Sequence, residues 1–177
     1  AYEENVAMTR EVVAMAKACN ADVEAEIGIV TGHEGKTFAI NDVSDAYTDP
    51  ELAARYVKDT GIDALAASVG TVHGFYATKP KLDFDRISEI AETISTPLVL
   101  HGGSGLSDSD FRTAVERGIS KVNIFTDINQ AGARAAGSGY REGIGLTDMI
   151  LPEIEAVKRS VMEKMRLFGS AGQGSGR

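Results

Sequence analysis

The sequence predicts an α/β fold with a parallel sheet, built from about four βα units and a terminal helix. Short apolar segments alternate with segments whose apolar residues recur every three or four positions, which is typical of strands alternating with helices. Unusual polar residues stand at the carboxyl ends of all four predicted strands, which favours the single rim of a (β/α)8 barrel over an open doubly wound sheet. A complete barrel takes roughly 250 residues. The 177 residues of this chain therefore predict half of one.

Composition excludes several classes of protein. Hydrophobic residues make up 43% of the chain and charged residues 25%, as in a globular protein with one core. The single cysteine, Cys19, excludes an internal disulfide framework and fits a reducing compartment. No apolar segment has the length of a membrane span, no secretory signal opens the sequence, and a net charge of −8 argues against a nucleic-acid surface. We expect a cytoplasmic protein without a membrane or nucleic-acid partner.

The first half of the chain predicts two helices and two strands. An amphipathic helix covers residues 3–19, and a strand follows over residues 22–27. A long glycine-containing loop then runs to about residue 47.

The second helix has clear end signals. Asp49 is the predicted N-cap, Pro50 occupies the first helical position and Gly61 ends the helix. A strand over residues 63–69 follows, and residues 70–82 are predicted to form a loop.

In the third unit, a helix with apolar residues on one face is followed by a strand over residues 97–100. Ser107 is the predicted N-cap of a fourth helix that ends at Gly118.

The last unit consists of a strand over residues 121–125, a helix over residues 126–136 and a longer terminal helix over residues 150–165. We therefore divide the chain into a partial barrel domain, residues 1–168, and a Gly/Ser-rich tail, residues 169–177, which we expect to be disordered.

The segment PLVLHGGSG, residues 97–105, carries the first candidate site. Its strand ends in His101, whose ring can bind a metal, and Gly102, Gly103 and Gly105 allow backbone N–H groups to approach an anion closely. The segment predicts that a metal and a phosphate bind together. The alternative is a tight strand-to-helix connection without a ligand.

A second histidine has the same local pattern. His73 in GTVHG, like His101, is followed by glycine at the exit of a strand. Neutral imidazoles suit Zn²⁺, but a catalytic zinc usually has three protein ligands, so one ligand is unaccounted for. His33 lies in the glycine-containing loop, where an exposed side chain is as good an explanation as a role as the third zinc ligand. Glu26 can supply an oxygen ligand or a hydrogen bond to a ligand, and pairing with a Lys or Arg is its structural alternative.

Five segments carry a family resemblance. They are VEAEIG, DALAASVGTVHGFY, PKLDFDRI, PLVLHGGSG and GISKVNIFTD, at residues 23–28, 63–76, 80–87, 97–105 and 118–127. Together they resemble the second half of a class II, zinc-dependent ketose-bisphosphate aldolase of the tagatose-bisphosphate and fructose-bisphosphate branches. The resemblance runs from the first helix through the terminal helix. It implies the C-terminal half of a TIM (β/α)8 barrel.

The resemblance also implies roles for individual residues. His73 and His101 match two of the three zinc-binding histidines of the family, and Glu26 matches a strand glutamate close to the metal. Glu34 lies where related aldolases place a proton-transferring glutamate, although the surrounding TGHEG departs from the usual two glycines followed by acidic residues. The implied substrate-binding positions are Gly74, Gly102, Gly103, Ser104, Asn123, Ile124, Phe125 and Thr126.

The implied reaction is the reversible cleavage of a ketose 1,6-bisphosphate, tagatose or fructose, to dihydroxyacetone phosphate and glyceraldehyde 3-phosphate through a zinc-stabilised enediolate. Such a carbon–carbon lyase belongs to carbohydrate metabolism, including glycolysis. The implied cofactor is Zn²⁺, with a monovalent cation near the phosphate as a second candidate. The implied partners are the sugar phosphate and further copies of the chain, in a dimer or tetramer.

Family members begin with about four βα units that precede the matched part of the barrel. The third of those strands ends in an Asp-His pair that supplies the catalytic acid and the remaining zinc histidine, so we expect the 177-residue chain alone to be inactive. Two alternatives stay open. One is a non-catalytic half-barrel that binds phosphate or stabilises a partner subunit, and the other is a phosphate-binding isomerase that uses the histidines as acids and bases.

Overall fold

The computed structural model describes residues 2–30, 32–38, 47–71, 73–76 and 80–174, and for 32–38 and 73–76 it describes the backbone. The strands in this part of the chain are β1 Glu24–Ile27, β2 Gly32–Phe38, β3 Ala64–Ala67, β4 His73–Tyr76, β5 Leu98–Leu100 and β6 Ile119–Val122. The helices are α1 Tyr2–Ala18, α2 Pro50–Thr60, α3 Phe84–Thr93, α4 Asp108–Glu116, α5 Thr126–Gly139 and α6 Leu146–Leu167.

The main sheet has the strand order β1, β3, β5, β6, and every neighbouring pair is parallel. This order follows the chain without reversal, as a barrel wall requires, whereas a doubly wound sheet reverses at a switch point. Helices α1, α2, α3 and α4 contact one another in succession, so they form one layer. The predicted parallel α/β fold is confirmed.

The strands of the main sheet have two different faces because successive side chains point to opposite sides. The face toward the helices is apolar: Leu65, Leu98 and Leu100 join one core with residues of the helices. The helical side chains buried in that core include Tyr56, Ile87, Ile90 and Phe111. Ala66 and Val99, at the alternate positions, are buried but lie outside this core. We call the two sides the outer face and the inner face.

The predicted ends of α2 and the predicted start of α4 are confirmed. The Asp49 carboxylate accepts a hydrogen bond from the backbone N–H of Leu52, and Gly61 closes α2 in the left-handed conformation with φ +68°. Ser107 and Asp110 form a reciprocal capping box at the start of α4. Within the described ranges, no helix is both long enough and apolar enough to cross a membrane.

Two predicted loops contain strands. β2 and β4 form a separate parallel pair in which Gly32 lies opposite His73. The sequence missed both because residues 32–38 lack an alternating apolar pattern, and each strand finds its hydrogen-bonding partner about forty residues away in the chain.

Four predicted boundaries in the last unit were also wrong. β6 begins at Ile119 and ends at Val122, so Asn123 to Phe125 follow the strand. α5 continues to Gly139, and α6 begins already at Leu146. Gly137 and Gly139 are part of α5, although glycine lowers helix propensity. The predicted tail is described as far as residue 174, and its disorder stays a prediction.

Candidate active site

His101, at the end of β5, lies between two glutamates of the edge strand β1, although β3 separates the two strands in the sheet. Its Nδ1 is 2.7 Å from Oε2 of Glu26, and its Nε2 is 2.9 Å from Oε1 of Glu24. Glu24 and Glu26 stand two residues apart on β1, so both side chains point to the inner face. His101 comes directly after β5 and is only 17% exposed. The structure therefore brings together two predicted metal-site residues, His101 and Glu26.

A lysine from the opposite edge of the sheet completes this network. Nζ of Lys121, on β6, donates hydrogen bonds to Oε2 of Glu24 at 2.8 Å and to Oδ1 of Asn123 at 2.7 Å. β1 and β6 are separated by three strand spacings, or roughly 14 Å along a flat sheet. Their side chains meet only because the sheet curves and its inner face is concave, which is the geometry of a barrel wall.

The network shifts two pKa values. The hydrogen bond with Glu26 raises the pKa of His101, and the bond with Glu24 adds to this against the opposing effect of burial. Burial raises the pKa of Glu24, but the hydrogen bonds from Lys121 and His101 outweigh it, so that this pKa is lowered. Without a metal, the site favours a protonated imidazole between carboxylates.

The turn after β5 packs against the chain that leaves β6. The backbone N–H of Gly103 donates to the carbonyl of Asn123 at 3.1 Å, and the N–H of Asp127 donates to the buried hydroxyl of Ser104 at 3.3 Å. A Cβ on Gly103 would lie 2.8 Å from a methyl group of Val122, so this position requires glycine. Two predicted substrate-binding segments, the glycine turn and the residues after β6, are therefore in direct contact.

The first turn of α5 faces the same place. The N-cap of this helix, Phe125, makes no side-chain capping bond. The positive end of the helix lies beside the glycine-rich turn, which favours an anion at this place. Asp127 beside it accepts a weak bond from the N–H of Gly105 at 3.4 Å, and its carboxylate pairs with Lys164 at 3.3 Å, which offsets its charge.

Three predicted site residues are described through their backbone alone. His73 and Gly74 open β4, and Glu34 lies in β2 two residues after Gly32, which pairs with His73. The side chains of His73 and Glu34 lie outside the described part of the chain. Among the residues that are described, no group of three or more His, Cys, Asp or Glu side chains is arranged to hold a metal ion.

The comparison with family models decides the family. The model described as "Fructose-bisphosphate aldolase class-II" matches residues 1–173. The chain belongs to the class II fructose-bisphosphate aldolase family. This confirms the resemblance of the five segments to the class II aldolase family.

Individual class II aldolases and their relatives agree with this assignment. A 6-phospho-5-dehydro-2-deoxy-D-gluconate aldolase of Halalkalibacterium halodurans is 41% identical over 174 residues, which are 97% of this chain and 59% of that protein. The crystal structure of the YdjI aldolase from Escherichia coli K12 superposes with a TM-score of 0.84 at 36% identity, covering 99% of this chain and 60% of that one. The chain thus spans about 60% of the length of these relatives, as a half-barrel would.

The donors of this aldolase site fit zinc in their chemistry, since imidazole nitrogen and carboxylate oxygen are both zinc ligands. An ion between Nδ1 of His101 and Glu26 would need these atoms about 3.4 Å apart, because each bond to zinc is about 2.0–2.2 Å long and the ligands stand at tetrahedral angles. The direct contact of 2.7 Å would have to open for an ion to fit there. Glu26 would then be either a ligand or a neighbour of the ion.

Two residues of the site had no role in the sequence prediction. Glu24 and Lys121 join β1 to β6, although they are 97 residues apart in the chain. A signal was present in each case, because Glu24 precedes Glu26 and Lys121 precedes Asn123 by two residues, the spacing that places strand residues on one face. The sequence did not reveal that the two would meet.

Proposed function

We propose that this chain is the carboxy-terminal part of a metal-dependent aldolase that reversibly cleaves a phosphorylated ketose to dihydroxyacetone phosphate and an aldehyde. One observation carries the proposal: His101, bracketed by two carboxylates, is directly followed by the glycine turn that faces the first turn of α5. A metal donor and a candidate anion site are thus joined in one segment. Our first candidate substrates are fructose and tagatose 1,6-bisphosphate, with glyceraldehyde 3-phosphate as the aldehyde product.

The residues divide into a metal side and a phosphate side. His73, His101 and Glu26 would hold zinc, which supplies a Lewis acid that polarises the substrate carbonyl. Backbone N–H groups of the glycine turn and of the start of α5 would bind the phosphate and orient the carbonyl carbon toward the metal side. The proposed residues of the phosphate side are Gly74, Gly102, Gly103, Ser104, Asn123, Ile124, Phe125 and Thr126.

Glu34 is our candidate for the base that moves the proton on the carbon beside the carbonyl. Its support comes from the backbone, because Gly32 of β2 pairs with His73 of β4 and Glu34 follows two residues later. This pairing brings the segment that carries Glu34 alongside a proposed metal ligand.

A second substrate is favoured by the relatives that are 41% identical and named for 6-phospho-5-dehydro-2-deoxy-D-gluconate. That name also places a keto group beside a phosphorylated carbon, so the same phosphate side can serve it. Comparing kcat/KM for this compound with the values for fructose and tagatose 1,6-bisphosphate distinguishes the candidates. The candidates share the half that carries the keto group and its neighbouring phosphate, and they differ in the other half. The substrate with the highest kcat/KM therefore identifies which other half the site accepts.

The zinc mechanism is tested in the full-length protein that contains this chain. We expect about one zinc per active site, loss of cleavage after exhaustive chelation, and recovery when zinc is restored. His101→Ala should remove metal and turnover while the circular dichroism spectrum stays unchanged. Lys158→Met, at an exposed site far along α6, is the control and should keep full activity. Full cleavage activity after chelation or in His101→Ala contradicts the zinc mechanism.

The 177-residue chain by itself should bind zinc weakly and show negligible turnover, since the expected Asp-His pair belongs to the preceding part of the barrel. Phosphate binding without turnover in both the chain and the full-length protein would instead support the non-catalytic half-barrel. Aldolase turnover by the purified 177-residue chain would contradict our view of where the catalytic acid lies.

Two further expectations remain proposals. The single cysteine, exposed and unpaired, supports a reducing compartment such as the cytoplasm. Association of copies into a dimer or tetramer is supported by apolar side chains exposed along α6. They include Leu146, Ile150, Leu151 and Ile154. Light scattering on the purified full-length protein measures the number of subunits.

A further inference from the structure

We propose that Glu24, held in place by Lys121, is a positioning residue for His101: it accepts the Nε2–H of the ring and so presents Nδ1 to the metal. This role rests on the proposed function. It adds a carboxylate and a lysine to the site that neither touch the substrate nor bind the ion.

The starting point is the way in which the ring is held. Glu26 contacts Nδ1 at 2.7 Å and Glu24 contacts Nε2 at 2.9 Å, so the two carboxylates bracket the imidazole from its two nitrogen-bearing edges. Since a neutral imidazole has one N–H donor and one acceptor nitrogen, one contact has to give way when a metal takes a ring nitrogen. The question is which carboxylate moves.

The two glutamates differ in how firmly they are held. The second oxygen of Glu24 accepts a hydrogen bond from Nζ of Lys121 at 2.8 Å, and the same Nζ donates to Oδ1 of Asn123 at 2.7 Å. Glu24 is thereby connected to β6 as well as to β5. Within the described part of the chain, the hydrogen bonds of the Glu26 carboxylate go to His101 alone.

The anchored contact is the one that persists. Displacing Glu24 from Nε2 disturbs a carboxylate that Lys121 holds across the concave face, whereas displacing Glu26 from Nδ1 breaks a single contact. A carboxylate that accepts the second N–H of a ligating histidine fixes the tautomer and the orientation of its ring. Nδ1 therefore becomes the metal-binding nitrogen, on the same side as Glu26.

Lys121 has a second effect on Glu24. Its ammonium group offsets the charge of the carboxylate. One oxygen of Glu24 is in contact with Nε2 of His101, and the other oxygen is occupied by Lys121. This occupation keeps Glu24 from becoming a metal ligand itself.

The test uses the full-length protein loaded with Zn²⁺ or with Co²⁺ alone. Glu24→Gln and Lys121→Met should each weaken metal affinity, measured by competition with a chelator, by about 10- to 100-fold. Both should also shift the visible absorption of bound Co²⁺, which a change in fold stability does not move. Lys121→Arg, which keeps the charge and the donors, should recover most of the affinity.

The matched controls come from an exposed pair outside the site. Glu155 and Lys158 are 3.4 Å apart on α6 and each is about three-fifths exposed. Glu155→Gln and Lys158→Met repeat the chemistry of the two test substitutions and should change neither the affinity nor the Co²⁺ spectrum. If Glu24→Gln does not fold, the comparison of Lys121→Met with Lys121→Arg carries the test.

Two results overturn the role of Glu24 while leaving the proposed function intact. One is wild-type metal affinity and an unchanged Co²⁺ spectrum in both Glu24→Gln and Lys121→Met. The other is a crystal structure of the zinc-loaded protein in which the ion lies on Nε2 of His101. A wild-type protein that binds no metal overturns the proposed function and this role together.

Discussion

The outer and inner faces of the same four strands both contain buried apolar residues, but the charged side chains of the site lie on the inner face. On the outer face, Leu65, Leu98 and Leu100 are at most 1% exposed and pack against the helices. On the inner face, Glu24 and Lys121 form an ion pair at 2.8 Å across the concave side. Because strand side chains alternate, one short strand contributes to both faces. Of two successive residues in one strand, one therefore packs against the helices and the other faces the site.

The difference between the two faces also indicates the role of the charged network formed by Glu24, Lys121 and His101. Ion pairs that remain partly exposed contribute little to folding, about 0–1 kcal/mol each. Lys121 is 53% exposed, so the network around His101 contributes little to the stability of the fold. Its geometry is better explained by the need to hold one imidazole in one orientation. We therefore expect outer-face changes to affect unfolding and inner-face changes to affect binding.

The largest expected effect on stability lies in the outer core. Phe111 is fully buried, and its ring packs 5.1 Å from that of Phe168. Phe111→Ala should lower the free energy of unfolding by about 3–5 kcal/mol, because it leaves a large cavity. Urea denaturation measures this change. Met15→Ala, at a side chain that is 67% exposed, is the control and should change it by less than about 0.5 kcal/mol. A loss below about 1 kcal/mol for Phe111→Ala would show that the outer face is not the stabilising one.

A smaller effect is expected where the two faces meet at the rim. Gly103→Ala adds a methyl group 2.8 Å from the side chain of Val122, so it should cost about 1–3 kcal/mol and weaken the binding of inorganic phosphate. Calorimetric titration with phosphate and urea denaturation measure the two effects. Gly137→Ala places its methyl group in open space within α5 and should be neutral or slightly stabilising. Unchanged phosphate affinity in Gly103→Ala would separate this turn from the candidate anion site.

The smallest expected effect is a pH dependence of the inner face in the metal-free chain. The pKa of His101 is raised above about 6.5, so its contribution to stability is complete below that pH and is lost as the pH rises through the folded-state pKa. The pKa of Glu24 is lowered, so its contribution is present above about pH 4.3 and is lost as the pH falls through its folded-state value. Unfolding free energies measured between pH 4 and 9 should therefore decline on the alkaline side, and His101→Gln should flatten that decline. An unchanged decline in this variant would assign it to other groups.

Local signals explain why much of the fold was predictable. Asp49, Pro50 and Gly61 set the ends of α2, and Ser107 begins α4, because caps depend on residues within one helical turn. The pairing of β2 with β4 was not predictable, because a strand without an alternating apolar pattern is defined only by its distant partner. The end of α5 was misplaced because Gly137 and Gly139 have low helix propensity, although the helix continues through both.

By itself, the sequence determined which residue types stand where each strand ends: His101 followed by the glycine turn, and Glu26 on β1. These features are local, since a strand exit, a glycine and a cap each act within a few residues of the chain. Only the tertiary structure decided that Glu24 and Lys121, from opposite edges of the sheet, would meet at 2.8 Å and hold the ring of His101. Curvature of the sheet brings them together, and curvature arises from the packing of all four strands against their helices rather than from any one segment.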